Sequence, residues 1–378
     1  MVVQTYYIQE QQALNDVCEQ FSASDYLAID TEFVRTRTFV PNLGLIQLCD
    51  GQQIALIDPL TIADLSPFWQ LLTNANIQKV LHACSEDLEV FQTCGQTKPV
   101  NLIDSQIIMA FLGHGISLGY AAMIEHFTGI CLDKSASRTD WIKRPLSATQ
   151  LNYASADVLH LHQCFPIMLA QLEEQGLVDA ARQESQRMID KKFSGVELTL
   201  LYQQVKAGWR LNSVQLNRLK YLAMWRYQQA VERNLPLSFV AKDHSLLAVA
   251  EQNPTNVGAM TQLDSIDILD VRHQGKAMLA VLKQASKVPE SEYPEPIVRL
   301  EQLASYKKLF ARIKQCLIEL AAQHGIPLEM LASKKQINQL LSWHFNINQQ
   351  GLSIVNVDLL QNWRAPLVQD HLTAILSQ

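Results

Sequence analysis

The first part of the chain alternates between short apolar runs, which predict strands, and segments with helical periodicity. The strand-like runs cover residues 6–8, 26–32, 44–49 and 53–57, and an amphipathic helix over Gln11–Phe21 separates the first two. Asp50 and Gly51 form a two-residue turn signal between the third and fourth runs. The pattern therefore predicts an antiparallel hairpin at this point.

Between residues 67 and 111 the pattern changes to alternating helices and strands. Helices are predicted at 67–72, at 85–94 and up to residue 111, and strands at 78–82 and 100–103. Ser85 is a candidate N-cap, because a serine hydroxyl can accept a hydrogen bond from a free amide of the first helical turn. Antiparallel strands followed by a β-α-β-α run predict a mixed sheet with helices packed on it, which is an α/β domain.

From residue 117 onward nearly all of the pattern is helical. A long helix is predicted at 147–171, where Pro166 could introduce a kink. We place the end of the first domain near residue 195. Residues 198–286 and 297–378 form two helical units of similar length, separated by a linker at 287–296 that contains three prolines and three glutamates. Their similar size suggests a degenerate repeat.

Composition and charge narrow the class of protein. The 378 residues contain no apolar stretch long enough to span a membrane and no secretory signal, so we expect a cytoplasmic protein with no membrane partner. Seven cysteines without a Cys-x-x-Cys pair argue against a disulfide framework and a thiolate zinc site. Residues 1–195 carry 22 acidic and 12 basic side chains, a net −10, whereas residues 196–378 carry 15 and 19, a net +4. The C-terminal half is the better candidate for binding a polyanion, although a solvated helical surface would explain its charge nearly as well.

The candidate chemistry starts at the strand 26–32. Side chains alternate between the faces of a strand, so Asp30 and Glu32 lie on one face, at the margin of the core. Two such carboxylates repel each other unless a cation lies between them, and Mg²⁺ and Mn²⁺ prefer several carboxylate oxygens. The alternative is that the strand ends here in a polar turn, which would also explain two acidic residues without any metal site. Further acidic residues are needed to distinguish the two interpretations.

Two later segments supply such residues. Glu86 and Asp87 fall in the first turn of the helix after the strand 78–82, although acidic residues favour helix N-termini for their dipole alone. Tyr153 and Asp157 are four residues apart in the predicted long helix and share one face. Each segment by itself is weak evidence for a site.

Taken together and in this order, the segments resemble the three exonuclease motifs of the DEDD superfamily in its tyrosine-containing branch. The residues that carry the resemblance are Asp30-Thr31-Glu32-Phe33, residues 80–87 (VLHACSED), and residues 138–147 (RTDWIKRPLS) leading into Tyr153 and Asp157. Their local sequences are similar to ribonuclease D. Trp225-Arg226, Ala230 and Asn234-Leu235-Pro236 resemble the HRDC helical module, and residues 331–337 (LASKKQI) resemble a second copy. The resemblance covers essentially the whole chain.

The resemblance implies an α/β exonuclease domain with an RNase H-like mixed sheet at 1–195, followed by two all-α HRDC domains at 198–286 and 297–378. It also implies a 3′-to-5′ exoribonuclease in which two divalent metal ions, Mg²⁺ or Mn²⁺, activate a water and hold the scissile phosphate. The implied substrates are structured RNAs such as tRNA precursors, and the implied products are nucleoside 5′-monophosphates. We expect a monomer.

The resemblance also assigns roles to single residues. Asp30 would bridge the two ions, Glu32 and Asp157 would complete the first metal site, and Asp87 would hold the second. Tyr153 has an unperturbed phenol pKa of about 10, so it stays protonated at neutral pH and would position the attacking water. Lys134 and Arg138 would contact the substrate, although both could be ordinary solvated loop charges.

Other functions remain open at this point. A DNA 3′-to-5′ exonuclease of the proofreading type would use the same two-metal chemistry. A non-catalytic RNA-binding scaffold is opposed by the presence of all five motif residues. His82 beside Cys84 is predicted to be a packed residue and not part of a Cys-His nucleophile. Four aromatic residues lie among basic ones and are predicted to pack in a core in preference to stacking on RNA: Trp209, Tyr221, Trp225 and Tyr227.

Overall fold

The computed structural model describes residues 3–132, 136–347 and 357–377. Its strands form one mixed six-stranded sheet with the order β1-β4-β3-β2-β5-β6. The outer pairs β1–β4 and β5–β6 are parallel, and β2 pairs antiparallel with β3 and parallel with β5. The strands are β1 (Gln4–Ile8), β2 (Tyr26–Val34), β3 (Asn42–Cys49), β4 (Gln53–Ile57), β5 (Gln78–Leu81) and β6 (Leu102–Asp104). The predicted mixed sheet is confirmed.

The predicted hairpin joins β3 and β4, which pair antiparallel. Gly51 has a φ of +85°, a conformation that glycine adopts without steric cost. The Asp50 carboxylate accepts hydrogen bonds from the amides of Gln52 (2.9 Å) and Gln53 (2.8 Å), which closes the turn. The local sequence is therefore sufficient to explain this connection.

Helices cover both faces of the sheet. Phe21, Phe68 and Phe91 belong to the buried apolar cluster on one face, and Met123, Val158 and Phe165 to the cluster on the other. The helices of this domain are α1 (Gln11–Phe21), α2 (Ser66–Thr73), α3 (Asp87–Cys94), α4 (Ser105–Phe111), α5 (Tyr120–Thr128), α6 (Ala148–Glu174) and α7 (Val178–Phe193). Helix α6 is the predicted long helix, and it continues through Pro166.

Two helical units follow the α/β domain. The first contains α8 (Ser213–Glu232), α9 (Leu237–Val240), α10 (Asp243–Gln252), α11 (Val257–Met260) and α12 (Ile268–Ala285). The second contains α13 (Tyr306–His324), α14 (Leu328–Leu331), α15 (Lys334–His344) and α16 (Ala365–Leu376). Capping boxes at Asn212 and Ser333 begin α8 and α15. None of the described helices combines the length and apolar character needed to cross a membrane.

The two helical units differ in how they relate to the sheet. The first has an apolar cluster of its own, which includes Leu219, Leu246 and Met278. The second shares one continuous cluster with the α/β domain, in which Ile313 and Leu372 belong to the same core as Ile108 and Phe111. The Phe111 and Trp363 rings lie 5.3 Å apart at this junction.

The structure separates the four aromatic residues that the sequence grouped together. Tyr221, Trp225 and Tyr227 pack against the core of the first helical unit, as predicted. Trp209 does not, since 41% of its surface is exposed and the guanidinium groups of Arg210 and Arg299 lie 5.3 and 4.7 Å from its ring centre. The prediction of core packing is therefore wrong for Trp209, which is held at the surface by two cations.

Candidate active site

Strand β2 brings two carboxylates to the face of the sheet that α6 covers. Leu27 and Ile29 belong to the apolar cluster on the opposite face, so alternation directs Asp30 and Glu32 toward α6. Asp30, Glu32 and Asp157 each offer a carboxylate oxygen, and these oxygens all lie within 4.8 Å of one another. The alternation predicted from the sequence accounts for two of the three residues.

Asp87 is the first residue of α3, which follows β5 after a turn of five residues. The hydroxyl of Thr31 donates a hydrogen bond of 2.5 Å to Asp87 Oδ1, and both residues are buried. Thr31 lies between the two acids of β2 and points to the other face of the strand. It therefore joins Asp87 to the strand that carries the cluster.

The turn before Asp87 is not capped by Ser85. No side chain caps the N-terminus of α3. Instead the buried Asp104 carboxylate at the end of β6 accepts hydrogen bonds from the amides of Ala83 (2.9 Å) and Cys84 (3.0 Å). Ala83 has a φ of +54°, which places it in the left-handed region. The predicted Ser85 cap is wrong: the carboxylate that fixes this turn comes from the neighbouring strand and bonds to amides that precede α3, and among the described residues the helix has no side-chain cap.

Helix α6 presents Tyr153 and Asp157 on one face, one turn apart. Its start is fixed by a capping box in which the Ser147 hydroxyl accepts from the Gln150 amide (3.2 Å). The charge of the Asp157 carboxylate is one of the causes that raise the pKa of Tyr153, after burial. Tyr120 from α5 donates its hydroxyl proton to the backbone carbonyl of Asp157. Tyr120 therefore ties the acidic turn of α6 to α5.

Burial raises the pKa of every carboxyl group in the cluster, and repulsion by the other cluster carboxylates adds to it for Asp30 and Glu32. Burial is the main cause for all four; for Asp30, charges on Asp87, Asp157 and Glu32 add to it and raise its pKa well above the usual value. The pKa rises to about 9 for Glu32, to about 7 for Asp157 and to about 6 for Asp87. Deprotonated carboxylates at this spacing need a positive partner, and a set made only of oxygen ligands suits Mg²⁺ or Mn²⁺. The residues present therefore fit a divalent-cation site.

The structure places the two substrate-binding candidates differently. Lys134 lies outside the described residues. Arg138 is exposed in the segment that precedes α6. In the same motif Trp141 is buried, and its ring centre lies 6.2 Å from that of Tyr153. Arg138 is therefore accessible to solvent, and it precedes Tyr153 and Asp157 in the sequence. Among the described residues, no contact joins Arg138 to the acidic cluster.

Arg144 is a structural residue that the sequence analysis did not identify. Its guanidinium donates to both Asp58 oxygens at 2.7 Å and to the Gly44 carbonyl at 2.6 Å. Asp58 also accepts a hydrogen bond of 2.5 Å from Tyr7. These bonds fasten the segment before α6 to the sheet. A local sequence pattern cannot predict this ion pair, because Asp58 and Arg144 are 86 positions apart.

His82 is a packed residue, as predicted. Its Nδ1 lies 2.9 Å from the Ser105 hydroxyl and its Nε2 lies 3.0 Å from the Leu118 carbonyl oxygen. Burial lowers its pKa and thereby favours the neutral ring. The neighbouring Cys84 thiol is fully buried, and burial raises its pKa well above the usual value. Neither side chain has the properties of a nucleophilic pair.

Comparison with known proteins identifies three matching regions. Residues 5–173 match the 3′-5′ exonuclease family, residues 215–282 match the HRDC domain, and residues 304–372 match the C-terminal HRDC domain of ribonuclease D. Ribonuclease D of Shewanella sp. is 42% identical over 369 residues, which cover 98% of this chain and 93% of the relative. Ribonuclease D of Escherichia coli K12 is 40% identical over 369 residues, covering 97% and 96% of the two chains.

Solved structures give the same result. The crystal structure of Escherichia coli RNase D, described as an exoribonuclease involved in structured RNA processing, matches with a TM-score of 0.94 at 40% identity and covers 100% of this chain and 99% of its own. The catalytic core of RRP6 from Trypanosoma brucei, at 22% identity and a TM-score of 0.58, covers 76% of this chain and 80% of its own and shares the fold. Dependence on divalent metal ions is a property of this exonuclease family. The chain belongs to the ribonuclease D family of 3′-to-5′ exoribonucleases.

Proposed function

We propose that this chain removes nucleotides one at a time from the 3′ ends of structured RNAs, tRNA precursors among them, and releases nucleoside 5′-monophosphates. The observation that carries the proposal is the convergence of Asp30, Glu32 and Asp157 within 4.8 Å, with Asp87 tied to the same strand through Thr31. The relative from Escherichia coli is described as acting on structured RNA. We extend that substrate class to this chain.

We further propose that the cluster holds two divalent ions, Mg²⁺ or Mn²⁺. Asp30, on whose pKa the charges of the other three carboxylates act, would contact both ions; Glu32 and Asp157 would complete one site and Asp87 the other. Bound ions of this kind lower the pKa of water and stabilise the charge that develops on the scissile phosphate. The four carboxylates contribute the negative charge and the oxygen ligands that retain the ions.

The remaining residues would orient the reacting groups. Burial, reinforced by the charges of Asp157, Glu32 and Asp30, raises the pKa of Tyr153 far above its usual value, so its hydroxyl keeps its proton at neutral pH. A protonated phenol donates a hydrogen bond, which supports a role for Tyr153 in orienting the attacking water and not in removing its proton. Lys134 and Arg138 would bind the RNA backbone as cations.

The test uses a 5′-labelled RNA with a 3′ extension and a DNA of the same sequence, each incubated with Mg²⁺ or with chelator. The proposal expects stepwise shortening of RNA from the 3′ end in Mg²⁺, none in chelator, and nucleoside 5′-monophosphates as products. Asp30→Asn is expected to abolish cleavage while leaving the fold intact. Shortening of DNA at the rate of RNA would favour the proofreading alternative, and full activity in chelator would refute the metal proposal.

A pair of variants tests the substrate-binding proposal. Arg138→Ala should raise KM for RNA with little change in kcat, because it removes a cation from the accessible segment that precedes α6. Arg182→Ala removes an exposed arginine of α7 and serves as the control. Equal KM values for the two variants would remove Arg138 from the binding surface. The cytoplasmic location and the monomeric state stay predictions, which cell fractionation and sedimentation would test.

A further inference from the structure

The loop between β2 and β3 is held by a side chain from the first helical unit. Asn234 Oδ1 accepts hydrogen bonds from the backbone amides of Phe39 (2.9 Å) and Val40 (3.1 Å), which precede it by 195 and 194 positions. Tyr227 of α8 packs edge-on against the Phe39 ring, with the ring centres 5.5 Å apart. Two contacts from the end of α8 therefore fix a loop of the α/β domain.

The backbone at Asn234 makes this contact rigid. Asn234 has a φ of +48°, in the left-handed region that asparagine, aspartate and glycine tolerate better than other residues. Its own amide donates to the Val231 carbonyl (3.2 Å), and the Leu235 amide donates to the Ala230 carbonyl (2.9 Å). The amide oxygen of Asn234 is thus carried on a turn that is bonded to the last residues of α8.

The same loop is tied to α3 by a second set of contacts. Arg35, the residue directly after β2, donates from Nη2 to the Phe39 carbonyl (2.7 Å) and forms an ion pair with Glu89 of α3 (2.9 Å). Glu89 also pairs with Lys192 of α7 (2.9 Å). The loop is therefore held at the Phe39 amide by Asn234 and at the Phe39 carbonyl by Arg35.

These contacts lie at the ends of two of the three elements that carry the acidic residues, β2 and α3. β2 extends only two residues beyond Glu32, and its pairing with β3 shifts register between Glu32 and Phe33. Such an irregularity makes the direction of a strand depend on how the following residues are held. Helix α3 begins at Asp87, two residues before Glu89.

We propose that Asn234 is a positioning residue for RNA cleavage. By holding the loop at 35–40, it fixes the end of β2 with Asp30 and Glu32 and, through Arg35, the start of α3 with Asp87. The inference rests on the proposed exonuclease function and extends it: the first helical unit acts on the chemical step as well as on any capture of RNA.

Two substitutions at Asn234 distinguish the effect of its side-chain oxygen from the effect of its backbone conformation. Asn234→Gly keeps the left-handed conformation and deletes the acceptor, whereas Asn234→Asp keeps an acceptor oxygen in a residue that tolerates this conformation. Asn253→Gly is the matched control, because Asn253 has the same φ of +48°, ends α10 in the same helical unit and is exposed. All three are made in the full chain.

The measurement is the single-turnover rate at saturating concentrations of a short unstructured RNA in Mg²⁺, together with KM and the thermal midpoint. We expect Asn234→Gly to lower the saturating rate at least about fivefold with KM changed less than about twofold, since two hydrogen bonds to the loop are lost. Asn234→Asp and Asn253→Gly should stay within about twofold of the parent in rate.

Several outcomes would overturn the inference. A parent-like rate in Asn234→Gly with only a raised KM would show that the contact serves RNA capture. An equally slow Asn234→Asp would show that the hydrogen-bond acceptor is not the cause. If Asn234→Gly does not fold, Arg35→Gln removes the ion pair that joins the same loop to α3. A lowered saturating rate in Arg35→Gln would support the inference, and an unchanged rate would refute it. A parent chain inactive on RNA would instead refute the proposed function.

Discussion

The junction between α7 and the second helical unit depends on one buried carboxylate, and Glu184→Gln tests its contribution to stability. Glu184 is 7% exposed and Arg364 is 3% exposed, and their side chains meet with 2.6 Å between Oε2 and Nη1. Arg364 also donates to the Leu331 and Met330 carbonyls at 2.9 and 2.7 Å. The substitution keeps the size of the side chain and removes its charge, which deprives the buried Arg364 guanidinium of the carboxylate with which it forms an ion pair.

The magnitude follows from the pKa of Glu184. Burial alone would raise this pKa, but hydrogen bonds from Arg187 and Arg364 outweigh burial and lower it from 4.5 to about 2. At about 1.4 kcal/mol for each pKa unit, the charged form contributes about 3 kcal/mol, which agrees with the roughly 3–5 kcal/mol lost when a buried ion pair is broken. Burial lowers the pKa of Arg364, but an arginine stays charged wherever the protein folds, so the titration belongs to Glu184.

Urea unfolding at a series of pH values measures the effect. A depressed carboxyl pKa gives stability that is fully present above pH 4.5 and is lost as the pH falls toward 2. Glu184→Gln should therefore be about 3 kcal/mol less stable than the parent at pH 7, and the difference should shrink between pH 5 and pH 3. Glu173→Gln, at an exposed position of α6, is the control. A loss below about 1 kcal/mol at pH 7, or a loss independent of pH, would refute the reasoning.

Three further predictions concern the active site and the domain division. Tyr153→Phe should slow single-turnover cleavage about 100-fold or more with little change in RNA affinity. A cleavage rate equal to that of the parent would show that the Tyr153 hydroxyl does not contribute to the chemical step. In chelator the thermal midpoint should fall as the pH rises from 5 to 9, because Asp87, Asp157 and Glu32 have raised pKa values and their deprotonation destabilises the folded state. Mg²⁺ should reverse this fall, and a thermal midpoint independent of pH in chelator would contradict the prediction. Limited proteolysis should cut first within residues 287–296, because this segment is the linker between the predicted domains 198–286 and 297–378, which follow the predicted domain 1–195. Mass spectrometry of the fragments would show where the first cut lies.

The part of the site that local periodicity determines could be predicted from the sequence. The two-residue period of a strand places Asp30 and Glu32 on one face, and the helical period does the same for Tyr153 and Asp157. The contacts that hold these residues in place could not be predicted in the same way. Thr31 reaches Asp87 across 56 positions, and Asp104 fixes the turn at Ala83 across 21.

The failed predictions have the same physical origin. Ser85 has the residue type and position of a helix cap, but a carboxylate from β6 sets the turn before α3, and the Leu88 amide of the first helical turn bonds to the Cys84 carbonyl. Trp209 has the pattern of a core residue, but Arg299, 90 positions later, lies over its ring. Residue type and spacing determine which groups are available, and the tertiary fold determines which partner each one meets.

The shared core of the α/β domain and the second helical unit constrains how the chain can fold during synthesis. Leu372 of α16 belongs to the same continuous apolar cluster as Ala28 of β2, so this core is complete only when α16 is in place. At about 5–20 residues per second, a ribosome needs roughly 10–40 s to synthesise residues 196–378 after residue 195. During this interval the surface of α4 and α7 that later meets Trp363 and Arg364, which includes Phe111 and Glu184, stays uncovered. A nascent chain of this protein therefore presents a temporary binding surface for chaperones, which disappears only after the second helical unit has been synthesised and has packed.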